Sequence, residues 1–327
     1  ITLEERVGLI CYYRKIQLLS QNCAQRVRKM SSDLVETEEY LNKWTEFKAA
    51  YNKRDLLTYA VGIGCTESNF VYEHDENFAA FPLYPIVLNF KGVEQDVVSF
   101  PSEAMTQGPA MPPLPGIKVG LDGERYLEML EPLDVDGGEV TIKARLIGVH
   151  KRGSGASVEK EELVVDKNGK VLCKMISGAF LVGAKGFKDS GVTNSEKVNI
   201  PNRAPDAVLD MPTSKTQTHI YRLSGDYNPL HVDPGFAMMS GFKEPILHGL
   251  CSLGITARAV IQQYCDGDST RFKAIKARFA KPVLPGDTLT VEMWKEGDKV
   301  VVQTKVKSSG AVSINNAYVL LKPSSKL

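Results

Sequence analysis

The sequence has no apolar run approaching the ~20 residues that a membrane span needs. It has no charge excess either: 40 Lys and Arg face 39 Asp and Glu. That balance gives no global field for nucleic acid or a membrane surface, so no partner of either kind is expected, and an anionic ligand must rely on a local basic cluster. Cysteine is sparse, six in 327 residues, without a CxxC pair. The five histidines form no ligand spacing with them, so no metal site is expected and the thiols read as reduced and buried, as in an intracellular protein. The first residue is Ile1 rather than Met, so a piece of something longer, or a trimmed chain, is expected, with no signal peptide read at its start.

The length suits two packed units of about 150 residues. Residues 1–50 read as a helical extension. Thr2 and Glu5 can form a capping box, Leu3, Val7, Ile10, Ile16 and Leu19 lie near one stripe, and Leu34, Leu41, Trp44 and Phe47 recur at helical intervals after Asp33. Residues 51–185 form a first unit. It has a short helix at 54–62, a turn at Gly62-Ile63-Gly64, a Pro/Gly/Met-rich loop over 98–120, and strand-like runs at 140–149, 157–165 and 171–182. Residues 186–215, with Pro201, Pro205 and Pro212, read as a linker. In 216–327 the order returns: a segment with Tyr221, a helix over about 247–264, and strand-like runs at 272–279, 288–294, 299–306 and 312–321.

The repetition reaches individual residues. Tyr59-Ala60-Val61-Gly62 parallels Tyr221-Arg222-Leu223-Ser224. Glu131-Pro132-Leu133 before Gly137-Gly138-Glu139-Val140 parallels Lys281-Pro282-Val283 before Pro285-Gly286-Asp287-Thr288. A duplicated unit of one long helix and several antiparallel strands is expected, an α+β class with the helix covering one sheet face.

The most informative stretch is Leu223-Ser224-Gly225-Asp226-Tyr227-Asn228-Pro229-Leu230-His231. Gly, Asp, Asn and Pro at these places make a turn, with Asn228 able to cap a helical turn opened by Pro229. Such a turn can aim Asp226 and His231 into one pocket as a general acid–base pair; an ordinary capping turn is the alternative reading.

This stretch, with Pro245-Ile246-Leu247-His248-Gly249-Leu250 and Lys276-Ala277-Arg278-Phe279-Ala280-Lys281-Pro282-Val283, resembles the hydratase 2 family, MaoC-like proteins of hot-dog fold, and in particular the hydratase unit of peroxisomal multifunctional enzymes of type 2. The likeness is dense over 205–322, traceable over 51–185 and absent from 1–50. It implies a tandem double hot-dog that hydrates trans-2-enoyl-CoA to the (R)-3-hydroxyacyl-CoA, and the reverse, in fatty acid β-oxidation. Carried over by position, Asp226 and His231 would activate one water, Asn228 would help position it, and the Gly249 N–H would hold the thioester oxygen. No separate cofactor is expected, since CoA belongs to the fatty acyl-CoA substrate. The first unit, with Gly62-Ile63-Gly64-Cys65-Thr66 in place of the motif, would accommodate bulky acyl chains.

Lys273, Lys276, Arg278 and Lys281 are candidates for the CoA phosphates, against the plainer reading of a solvated strand face. His248 is expected to seat the Gly249 turn. Ser325-Lys326-Leu327 matches the address read by the peroxisomal import receptor, so a peroxisomal location is expected. The two halves would form one pseudo-dimeric unit, open to further pairing as a homodimer. Two other functions share the fold and ligand: an acyl-CoA thioesterase, and a non-catalytic acyl-CoA-binding module of a multifunctional protein.

Overall fold

Residues 34–323 are described by the structure, a computed structural model. Its first strand corrects the reading of 34–50 as helix. Phe47, Ala49 and Tyr51 are buried while Glu46 and Lys48 are exposed, a period of two. That period fits a strand, and Thr45–Asn52 is β1, preceded by a single 3₁₀ turn at Glu38–Tyr40. The helix expected earlier, within 1–33, lies outside the described residues.

Helix α1, Lys53–Gly62, follows at once. Asn52 accepts a hydrogen bond from the Asp55 N–H at 3.1 Å and the Asp55 carboxylate accepts one from the Asn52 N–H at 2.9 Å, a reciprocal cap. Four strands then complete the first unit: β2 Val119–Met129, β3 Gly137–Arg152, β4 Gly155–Val165 and β5 Val171–Val182. β2 is absent from the sequence reading because a bulge between Asp122 and Glu124 breaks its alternation. The expected linker is partly structured: Ser190–Gly191, β6, pairs with β3, and Ala207–Pro212, β7, already belongs to the second half. There follow α2 Gln217–Tyr221, α3 Pro234–Met239, α4 Gly249–Cys265, β8 Phe272–Phe279, β9 Thr288–Glu296, β10 Lys299–Val306 and β11 Val312–Leu321.

These strands form one antiparallel sheet in the order β1-β3-β4-β5-β2-β8-β11-β10-β9-β7. Read outward from the β2–β8 seam, the two halves have the same order. At the seam Tyr126 pairs with Lys276, residues 150 apart, which is the offset of the repeated Glu131 and Lys281 turns. Equivalent residues facing one another mark a pseudo-twofold axis. Tyr59 and Tyr221, the paralleled tyrosines, also meet there with ring centroids 5.9 Å apart. The architecture is the tandem double hot-dog.

The halves differ in their helices. α4 is apolar nearly all round: Leu250, Leu253, Ile255, Ala257, Val260 and Ile261 are all buried as it lies on β7, β8, β9 and β11. The first half has no such helix among the described residues, contrary to the expectation of one per repeat. Pro82, Pro85 and Gly92 interrupt the chain there, and short helical turns stand at Ser68–Val71, Tyr84–Val87, Leu88–Lys91 and Ala104–Thr106.

Candidate active site

The first repeat holds the turn over 225–231 in place. A Cβ on Gly62 would stand 3.1 Å from the Tyr221 Cα, so α1 and α2 touch backbone to backbone. The Gly62 carbonyl accepts hydrogen bonds from Gln217 Nε2 at 2.6 Å and Cys251 Sγ at 3.4 Å, joining α1 to both α2 and α4. Beyond Tyr221, Gly225 takes φ +123° with Phe90 Cβ 3.4 Å and the Val87 carbonyl 3.6 Å from where its own Cβ would be. Any other residue there would be strained and crowded against the first repeat.

Asn228 caps the next turn, its Oδ1 accepting from the Leu230 N–H at 3.0 Å, and Pro229 opens it. This turn carries His231 inward. Asp233 in turn caps α3, accepting from the N–H groups of Gly235 and Phe236 at 2.7 and 3.0 Å. Asp226, His231 and His248 thereby converge, with one ligand-type atom of each within 4.8 Å of the others.

Hydrogen bonds decide the tautomers. His231 Nδ1 lies 2.8 Å from the Ile246 carbonyl, which can only accept, so Nδ1 donates and Nε2 of the neutral ring keeps its lone pair. His248 Nε2 donates to the Asp226 main-chain carbonyl at 3.2 Å, and its ring stacks on His231 with centroids 3.6 Å apart. His248 thus ties the start of α4 to the turn that carries Asp226. These three residue types can ligate a metal, but one ring N–H of each histidine is committed to a carbonyl.

Burial pushes the Asp226 carboxyl up to about 6, while the Asn228 N–H, 3.3 Å from Oδ1, and Arg125 pull it back. Burial pushes His231 down to about 4. Near neutral pH the pair is therefore a carboxylate beside a neutral imidazole, two bases facing one space. Gly249 is the first residue of α4, so its N–H has no acceptor within the helix, and the positive end of the helix dipole adds to it. Phe279 closes one side, its ring 3.3 Å from where a Gly249 Cβ would be.

Residues 49–183 match the model of the MFE-2 hydratase 2 N-terminal domain, and residues 196–317 match that of the MaoC like domain. Peroxisomal multifunctional enzyme type 2 of Mus musculus is 42% identical over 298 residues, which cover 87% of this chain and 38% of that protein. The chain thus spans about two-fifths of that relative's length. The enoyl-CoA hydratase 2, peroxisomal, of Arabidopsis thaliana is 38% identical over 288 residues, covering 81% of this chain and 89% of that one. The crystal structure of a MaoC-like dehydratase from Phytophthora capsici superposes with TM-score 0.82 at 44% identity, covering 88% and 98%. The chain belongs to the MaoC-like hydratase 2 family.

Asp226, His231, Asn228 and Gly249, the residues matched to the family's motif, lie together, whereas the four basic residues do not form one cluster. Lys276 and Arg278 share the outer sheet face and line a cavity of 320 Å³ where β2 and β8 part. Lys276 is 1% exposed, its Nζ donating to the Glu196 carbonyl at 3.0 Å, and Arg278 pairs with Glu124 and Ser195. Lys273 stands on the opposite strand parity and Lys281 lies beyond β8, both exposed. Sequence reasoning missed Asp122 and Arg125, which line the same cavity from the first repeat. Their signal was faint: a polar Asp-Gly-Glu-Arg run inside an unrecognised strand.

Proposed function

We propose that the chain is an (R)-specific hydro-lyase that adds water to trans-2-enoyl-CoA thioesters and removes it from (R)-3-hydroxyacyl-CoA. The observation that carries this reading is the convergence of the Asp226 carboxylate and the His231 ring beside the helix N-terminus at Gly249. A conjugated thioester accepts water at C3 only as negative charge gathers on its carbonyl oxygen. The Gly249 N–H receives that oxygen; losing one such donor typically costs about 10²–10³ in rate. One water lies between Asp226 and His231 and loses a proton to the pair as its oxygen bonds to C3. The pair returns a proton to C2, so the elements of one water enter across the double bond. The two residues titrate as a unit, and the transfers belong to the pair. The name of the Arabidopsis relative supports the substrate, and the names of both the murine and Arabidopsis relatives support a peroxisomal location.

We place the CoA arm in the cavity between β2 and β8, with Lys276 and Arg278 at its wall, and the acyl chain toward the first repeat. The test is loss of enoyl absorbance when the protein meets a trans-2-enoyl-CoA, with the product coupled to (R)- or (S)-selective dehydrogenases. Expected is rapid loss and oxidation by the (R)-selective enzyme alone. Release of free thiol from a saturated acyl-CoA, or binding without turnover, overturns the reading in favour of a thioesterase or a binding module.

A further inference from the structure

Among the described residues one hydrogen bond holds the His231 ring, from Nδ1 to the Ile246 carbonyl at 2.8 Å. A histidine side chain turns about two torsions, χ1 and χ2, so a single bond leaves its ring one way to swing. The second constraint is the His248 ring, which lies against it with centroids 3.6 Å apart and planes 26° apart. His248 is itself held from two further sides. Its Nε2 donates to the Asp226 main-chain carbonyl at 3.2 Å, and the Tyr221 ring stands 4.9 Å away, tilted by 53°. Tyr221 backs in turn onto Tyr59 of the first repeat. Four rings thus run without a break from the site into the first repeat, and the last three are all buried.

The residue type at 248 points beyond a simple tie. His248 precedes the first turn of α4, where Ser, Thr, Asp or Asn would cap the helix. Its side chain makes no such cap and turns to Asp226 instead. Its Nδ1 is also buried with no hydrogen-bond partner among the described residues, which costs stability. A tie alone needs only an N–H, which an amide side chain supplies; histidine adds a flat aromatic face to it. Nε2 keeps its proton for the carbonyl and Nδ1 has no acceptor for a second one. The ring therefore stays neutral and sets no like charge against His231.

We propose that His248 is a positioning residue for His231: its ring, braced by Tyr221, is the flat backing that fixes the plane of the His231 imidazole and so aims the Nε2 lone pair into the space shared with Asp226. This rests on the hydratase reading of Asp226 and His231. The hydrogen bond to the Asp226 carbonyl holds the backing ring in register with the turn, and the stack passes that register on to His231.

Three variants separate the ring from the N–H. His248→Phe keeps a ring and loses the donor, His248→Gln keeps a donor and loses the ring, and His248→Ala loses both. Hydration of a trans-2-enoyl-CoA gives kcat and KM for each, with folding checked by thermal melts. His248→Ala and His248→Gln should lower kcat about 10- to 100-fold, the scale for a misplaced reacting group, with KM within about twofold. His248→Phe should restore kcat to within about fivefold of wild type, since its ring realigns His231. A residue that only ties the turn to α4 gives the reverse order, with His248→Gln active and His248→Phe slow. That order, equal rates in the two, or a loss confined to KM overturns the proposal. If His248→Phe does not fold, His248→Gln decides it: a lowered kcat at unchanged KM supports the stack, and a wild-type kcat overturns it. NMR of the His231 ring protons, assigned by their loss in His231→Ala, reads the stack without turnover. Their ring-current shift should persist in His248→Phe and vanish in His248→Gln; a shift unchanged in His248→Gln overturns the proposal. Failure of the hydratase reading shows separately, as wild type that does not hydrate.

Discussion

The two repeats share strand order and turns but divide the labour. The second has an unbroken helix, α4, whose start provides the Gly249 N–H, and a Gly-Asp-Tyr-Asn-Pro turn that aims Asp226 and His231. The first has prolines where that helix would run, and Gly62-Ile63-Gly64-Cys65 where the motif would be. Its short turns instead brace the second repeat: Val87 and Phe90 wall in Gly225, and Gly62 receives α2 and α4. Duplication with loss of the motif in one copy frees that copy to act as scaffold.

The sharpest test of this division replaces one residue on each side. Asp226→Asn and His231→Ala should each lower turnover at least a hundredfold, within the range of about 10²–10⁴ for a lost acid–base group. Cys65→Ser, in the first repeat's counterpart of the motif, should leave turnover unchanged in the same enoyl-absorbance assay. Near-normal rates in a folded Asp226 variant would break the comparison. Next in size is a scaffold effect. Lys91 is 5% exposed and its Nζ lies 2.9 Å from Asp55. Lys91→Met removes the cation and leaves that carboxylate, among the described residues, only the Asn52 N–H, which should cost about 3–5 kcal/mol in denaturant unfolding. Met keeps the Cβ that backs Gly225, so protein that folds should retain activity. Gly249→Ala is smaller: the new methyl must displace Phe279 by a few tenths of an ångström, and misaiming the N–H should lower turnover about tenfold.

Much of the second repeat was legible because each of its signals stands alone. β8, β10 and β11 have the bounds expected for their runs, 272–279, 299–306 and 312–321, and Asn228-Pro229 specifies its own capped turn. The first repeat was less legible because its elements depend on partners. β1 is a strand through its ladder with β3, although Leu41, Trp44 and Phe47 keep helical spacing. β2 carries a bulge that erases its period, and the missing long helix shows only as scattered prolines. In the site, motif positions could be read from sequence. The His231–His248 stack and the Asp122–Arg125 pair could not, since both arise from residues brought together by turns and sheet pairing.

The smallest expected effect concerns what the active repeat gives up in stability. Asp226 has a folded pKa of about 6, above the ~3.9 of an unfolded aspartate, so the folded state binds the extra proton between those values. Its contribution is therefore present below pH 3.9 and lost as pH rises through 6. His231, lowered to about 4 from 6.5, acts the other way: its contribution is present above 6.5 and lost as pH falls through 4. The two oppose each other between pH 4 and 6, flattening the wild-type profile there. Asp226→Asn removes one side. A fully enclosed shift of two units would be worth nearly 3 kcal/mol, and since Asp226 remains partly accessible about 1 kcal/mol is expected. The variant should thus melt a few degrees above wild type at pH 7.5, with the gap closing toward pH 4. A variant less stable than wild type at pH 7.5 would mean that the carboxylate is held by favourable contacts stronger than the cost of its burial.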